Sequence, residues 1–200
     1  MIAVLALGTA VATAADRQPT VLVLGDSLSA AYGMALEQSW VALLEQRLQA
    51  HDPEWRVVNA SVSGETTGGG LARLPRALEQ HEPTIVIIEL GGNDGLRARP
   101  VAEVRENLAR MIELSREAGA GVLLAGIRLP PNYGAAYVQR FEAVFGELAE
   151  THDIALVEFF MEDVALDATL MQADGIHPNA DAQPVLLDNV WPRLLPLLGD

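Results

Sequence analysis

The 200-residue chain contains no cysteine and no lysine. Without cysteine there are no disulfides, no thiolate metal sites and no cysteine nucleophile. Without lysine, a P-loop ATPase lacks the side chain that holds its phosphates, and a pyridoxal enzyme lacks its Schiff-base amine. Positive charge is scarce as well: 13 arginines face 27 Asp and Glu, for a net charge of −14. Such a field repels phosphate backbones, so nucleic acid is not an expected partner. Aromatic residues make up 5%, with three Trp and three Tyr, a thin supply for a sugar-stacking platform.

What is present is a 50% hydrophobic chain of single-domain length, able to bury a core unaided. Residues 1–14 (MIAVLALGTAVATA) are small and apolar, too short for a membrane-spanning helix of about 20 residues. Ala12-Thr13-Ala14 fits a small-residue cleavage pattern, and the chain turns polar at Asp16 and Arg17. Residues 1–14 therefore read as a secretory signal peptide, though one lacking a basic n-region, and 15–200 as one domain.

From Pro19 onward short apolar runs alternate with amphipathic ones. Strands are expected at Thr20–Leu24, Arg56–Asn59, Thr84–Leu90, Gly121–Ala125 and Ile154–Val157. Helices are expected at Ser39–Gln49, Leu71–His81, Pro100–Ala118 and Gly134–Thr151, with a last one from Asn179 to about Leu198 that Pro184 interrupts early. Pro100 is expected at the first helical position, and Gly68-Gly69-Gly70 as a flexible helix entry. Five strand–helix alternations imply a parallel sheet with helices on both faces, whose ligands bind beyond the carboxyl ends of the strands.

Those ends carry Gly25-Asp26-Ser27-Leu28, then Ser63-Gly64-Glu65, then Gly91-Gly92-Asn93-Asp94, and finally Asp174-Gly175-Ile176-His177-Pro178. Asp174 and His177 are spaced so that the carboxylate can fix the imidazole tautomer, leaving the ring free to take a hydroxyl proton. Ser27 is the best-placed hydroxyl, on a sharp turn after a strand, although G-x-S-x-G is not matched because Ser29 replaces the second glycine. Each residue has an ordinary alternative: Ser27 as a helix cap, Asn93 as a turn residue, Gly64 as a positive-φ glycine. Together on one rim they make the set that acyl transfer needs. His51, His81 and His152 have no such company, and two of them follow expected helix ends, where a cation is favoured.

These four blocks resemble the SGNH (GDSL) hydrolases, in family order and at family-like separations. Glu89–Arg97, Ile127–Gly134 and Asp174–Pro184 are similar to the bacterial periplasmic acyl-CoA thioesterase, arylesterase and lysophospholipase subfamily, and the likeness runs from about Thr20 to the C-terminal helix. The resemblance implies a flavodoxin-like three-layer α/β/α sandwich with a five-stranded parallel sheet. It implies Ser27 as nucleophile, His177 as base and Asp174 as its orienter. The oxyanion hole would comprise the Ser27 and Gly64 N–H groups and the Asn93 amide. No metal or cofactor is called for, the substrate is an acyl ester or thioester, including lipid esters, and the chain is expected to work as an exported monomer.

Leu96, Ile127, Leu129, Pro130, Pro131, Tyr133 and Ile176 form an apolar set on the same loops. They suit an acyl chain, or else pack against the sheet edge. The rival activities are a carbohydrate or other short-chain deacetylase on this fold, and a non-catalytic flavodoxin-like binding protein.

Overall fold

A computed structural model describes residues 18–199; the expected signal peptide, 1–14, lies outside them. Five strands, β1 (Thr20–Gly25), β2 (Arg56–Asn59), β3 (Ile85–Glu89), β4 (Gly121–Ala125) and β5 (Ala155–Val157), pair in parallel in the order β2-β1-β3-β4-β5. Between them run α1 (Trp40–His51), α2 (Thr67–His81), a short α3 (Gly92–Leu96), α4 (Val101–Glu117) and α5 (Ala135–His152); α6 (Gln183–Leu194) comes after β5 and passes into a single 3-10 turn, Leu195–Leu197. The five-stranded parallel α/β/α sandwich expected from the alternation is the fold observed.

The two-residue period of each strand assigns its side chains to opposite cores. Leu22, Leu24, Val86, Ile88, Val122 and Leu124 pack with α2, α4 and α5, through Leu74, Leu108, Met111 and Phe145. Val21, Val23, Ile85, Ile87 and Leu123 pack with α1 and α6, through Trp40, Leu44, Leu186 and Val190. Both faces of the central strands are covered, which is why these segments read as continuous apolar runs. Among the described residues no helix is long and apolar enough to cross a membrane.

Four local features differ from the expectations. α2 starts at Thr67, running through the three glycines: the Thr66 hydroxyl accepts from Gly69 N and the Asp94 carboxylate from Thr67 N, at 3.2 and 2.8 Å. Gly70 has no room for a side chain, because Leu90 fills that space. Pro100 sits one residue before α4, as its cap. Pro184 does not interrupt α6; it lies in the first turn, where a missing N–H costs nothing.

Leu124, fully buried between sheet and helices, provides a test of this core. Leu124→Ala should lower unfolding stability by about 2–5 kcal/mol, whereas Leu166→Ala, at a fully exposed side chain, should change it by less than about 0.5 kcal/mol. Urea unfolding of the two variants checks the contrast.

Candidate active site

The chain leaves β1 for β2 on one side of the sheet and returns to β3 on the other, so the crevice between the ends of β1 and β3 is the topological switch point. Ser27 lies two residues beyond β1. No helix follows it: Ser29 N and Ala30 N both bond back to the Asp26 carbonyl, and the chain stays in turns. Ser27 therefore caps no helix, and its hydroxyl has a different partner.

That partner is His177, whose Nε2 lies 2.9 Å from Ser27 Oγ. On the other side of the ring, Nδ1 lies 2.6 Å from Asp174 Oδ2. Asp174 Oδ1 also accepts from Ile176 N at 2.9 Å and His177 N at 3.0 Å. The carboxylate thus folds the Asp174–His177 loop around itself, helped by Gly175 at φ +67°. The loop is the tip of a narrow hairpin, closed where Gln172 N donates to the His177 carbonyl at 2.7 Å and Met171 pairs with Pro178. Hydrogen bonds from the His177 backbone and ring, then from Ile176 N, hold the Asp174 carboxyl down at about 2. It is ionised at any neutral pH and accepts from Nδ1–H, which leaves Nε2 bare toward the serine. An imidazole so placed can take the hydroxyl proton.

Asn93, in the first turn of α3, donates from Nδ2 to Asp26 Oδ2 at 3.0 Å. Asp26 Oδ1 accepts from Leu28 N at 3.0 Å. One carboxylate therefore fixes both the backbone after Ser27 and the amide of Asn93. Gly64 occupies a tight turn closed by Glu65 N to the Val62 carbonyl (3.1 Å), at φ +79°. Its carbonyl accepts from Arg97 Nη2 at 3.4 Å. The β2 loop is anchored to its neighbours by Val62 N to the Gly25 carbonyl, and by Arg73, which donates to the Ala60 carbonyl and pairs with Glu65.

The apolar set divides. Leu96 and Tyr133 are half-buried and joined by the Tyr133 hydroxyl donating to the Leu96 carbonyl at 3.0 Å. Pro130 and Pro131 are exposed. Ile127 and Leu129, expected on an open rim, are core residues instead, 6% and 7% exposed. Leu129 fills the space over Gly95, where no side chain competes for it. Ile176 is 48% exposed and belongs to the His177 hairpin. His51, His81 and His152 close the last turns of α1, α2 and α5, away from this rim.

Sequence reasoning passed over a pair of buried acids beneath Ser27. Glu89 ends β3, opposite Gly25 in register. Its Oε2 accepts from Ser29 Oγ at 2.7 Å, and that hydroxyl accepts from Trp40 Nε1 at 3.2 Å. Among the described residues its Oε1 is buried without a partner. The available signal was a glutamate ending the apolar run TIVIIEL, a place where charge is unexpected. Burial pushes the Asp26 carboxyl up to about 6, and pushes Glu89, with Asp26 beside it, well above the carboxylate range.

The GDSL-like Lipase/Acylhydrolase family model matches residues 23–183. Esterase TesA of Pseudomonas aeruginosa is 55% identical over 179 residues, covering 90% of this chain and 89% of that protein. A crystal structure of TesA matches with TM-score 0.87 at 55% identity, over 89% of this chain and 99% of that one. The arylesterase of Vibrio mimicus is 46% identical, over 91% of each chain. Thioesterase 1/protease 1/lysophospholipase L1 of Escherichia coli is 47% identical, over 94% of this chain and 88% of that protein.

Raised carboxyl pKa values mean that the folded chain holds protons the unfolded chain has released. Stability then falls as pH rises above about 4, through the Asp26 value and on toward that of Glu89. The urea midpoint should decline as pH rises from about 5 through the Asp26 value of about 6 and above it, and Glu89→Gln should flatten the decline. An unchanged slope in the variant would locate the effect elsewhere.

Proposed function

Because the chain belongs to the GDSL-like lipase/acylhydrolase family and is an ester hydrolase, we propose that it cleaves carboxylic esters and thioesters through an acyl-enzyme on Ser27. The observation that carries this reading is the unbroken Asp174–His177–Ser27 hydrogen-bonded chain, at 2.6 and 2.9 Å. His177 Nε2 takes the Ser27 proton as Oγ attacks the acyl carbon, and the carbonyl electrons collect on an oxyanion. The Asn93 amide, already oriented by Asp26, and the Ser27 and Gly64 N–H groups are its donors. Collapse sends the leaving group out with the proton from His177, and water activated by the same ring releases the acid.

Aryl esters, acyl thioesters and lysophospholipids are the proposed substrates, matching the activities in the relatives' names. The acyl chain is assigned to the surface of Leu96, Pro130 and Tyr133, with Ile127 and Leu129 supporting it from beneath. With residues 1–14 as an export signal, the hydrolase works in the periplasm or as a secreted protein.

Ser27→Ala should lower nitrophenyl-ester turnover by about 10⁴-fold or more while the folded spectrum is kept. Turnover near that of the parent would remove Ser27 as nucleophile. Asn93→Ala should lower kcat about 10²–10³-fold with KM nearly constant, because its amide acts on the transition-state oxyanion. A rise in KM at constant kcat would make Asn93 a ground-state contact instead.

A further inference from the structure

The side chains around Ser27 fall on two sides of the sheet. Leu96 and Tyr133 follow β3 and β4, and Ile127 and Leu129 beneath them belong to the core under α2, α4 and α5. His177 comes from the hairpin leading into α6, whose neighbours Leu170 and Met171 pack on the opposite core, with α1 and α6. On this second side the Tyr32 ring lies against the His177 ring, 4.3 Å between centroids and tilted by 36°. Tyr32 and Ile176 are each 48% exposed, although nothing in the fold requires a tyrosine and an isoleucine to stand open to water there.

This pair is also fixed in place. Gln172 Nε2 donates to the Tyr32 carbonyl at 2.8 Å and to the Pro178 carbonyl at 2.9 Å, tying the Tyr32 loop to the His177 hairpin. Gly33 makes the tie possible: it adopts φ +74°, and the Gln172 side chain occupies the space where a side chain of its own would stand.

We infer that Tyr32 and Ile176 form the leaving-group subsite, an apolar shelf that selects aryl over small alkyl leaving groups. This rests on the acyl-enzyme reading above. When the tetrahedral intermediate collapses, the bond from the acyl carbon to the leaving oxygen breaks and its electron pair stays on that oxygen. The oxygen takes the proton from His177 Nε2, and the acyl group remains on Ser27 Oγ. The leaving group must therefore lie beside His177, where the Tyr32 ring stands against the imidazole and the exposed Ile176 precedes it in the chain. An aromatic leaving group meets an aromatic ring and a branched aliphatic chain there, while a methyl group reaches neither. Ile176 thus leaves the acyl-binding set and joins the shelf.

The test compares kcat/KM for phenyl butyrate and methyl butyrate in the full-length protein and in Tyr32→Ala, Tyr32→Phe and Ile176→Ser. In Tyr32→Ala the phenyl-to-methyl ratio should fall about three- to tenfold. Ile176→Ser should lower it in the same direction, and Tyr32→Phe, which keeps the ring, should preserve it. The ratio between phenyl butyrate and phenyl hexanoate, which reports the acyl side, should hold in all three. Equal losses on both butyrates in Tyr32→Ala, with a displaced pH profile, would make Tyr32 a prop for His177 and overturn the subsite. If Ser27→Ala turns over phenyl butyrate as the parent does, the acyl-enzyme reading itself fails and the subsite falls with it.

Discussion

Because β1 and β3 are covered by helices on both faces, their backbone groups find partners only within the sheet, and that pairing ends where the strands end. Beyond Gly25 and Glu89 the chain must satisfy its polar groups by other means, and the site is built from those substitutes. The Asp26 carbonyl receives two turn N–H groups, its carboxylate receives Leu28 N and the Asn93 amide, and Glu89 receives the Ser29 hydroxyl. Strand order contributes the rest. With β2 on one side of β1 and β3 on the other, loops from three strands converge on one crevice, and the hairpin before α6 reaches it from the second face.

Chemistry and stability pull against each other at this point. Two carboxyl groups buried side by side are an unfavourable element in a fold that could have placed an apolar residue at the end of β3. Glu89 nonetheless supports Ser29, and through it the Trp40 indole at the start of α1, so the turn after Ser27 is tied to the second core. Asp26, the other member of the pair, holds Asn93 in the orientation that the proposed oxyanion donor needs.

Much of this was legible in the residues. Continuous apolar runs located the three central strands, β1, β3 and β4, because parallel strands covered on both faces leave no polar face to blur the pattern, and glycines after them located the loops; the edge strands β2 and β5 are only partly buried and left a weaker trace. The short-range Asp174–His177 relation was legible because three residues of spacing constrain it locally. Other features depend on tertiary neighbours and leave no periodic trace. Leu129 reads as a rim residue until Gly95 is seen beneath it, and α2 reads as starting at Leu71 until Asp94, 27 positions beyond Thr67, is seen capping it. The stacking of Tyr32 on His177 links residues 145 positions apart and has no sequence signature at all.

The hairpin of residues 172–177 carries one more implication. Asp174 and His177 are bonded to each other and to the backbone between them, so they travel as one cassette rather than as two independently mounted parts. A displacement of the hairpin leaves the acid–imidazole couple intact and falls on its contacts outside the hairpin, chief among them Nε2 to Ser27 Oγ, in length and angle alike. The two halves of the proposed triad therefore meet at one joint, Nε2 to Ser27 Oγ, and the Gln172 tie to the Tyr32 loop helps hold the hairpin that carries one half of it.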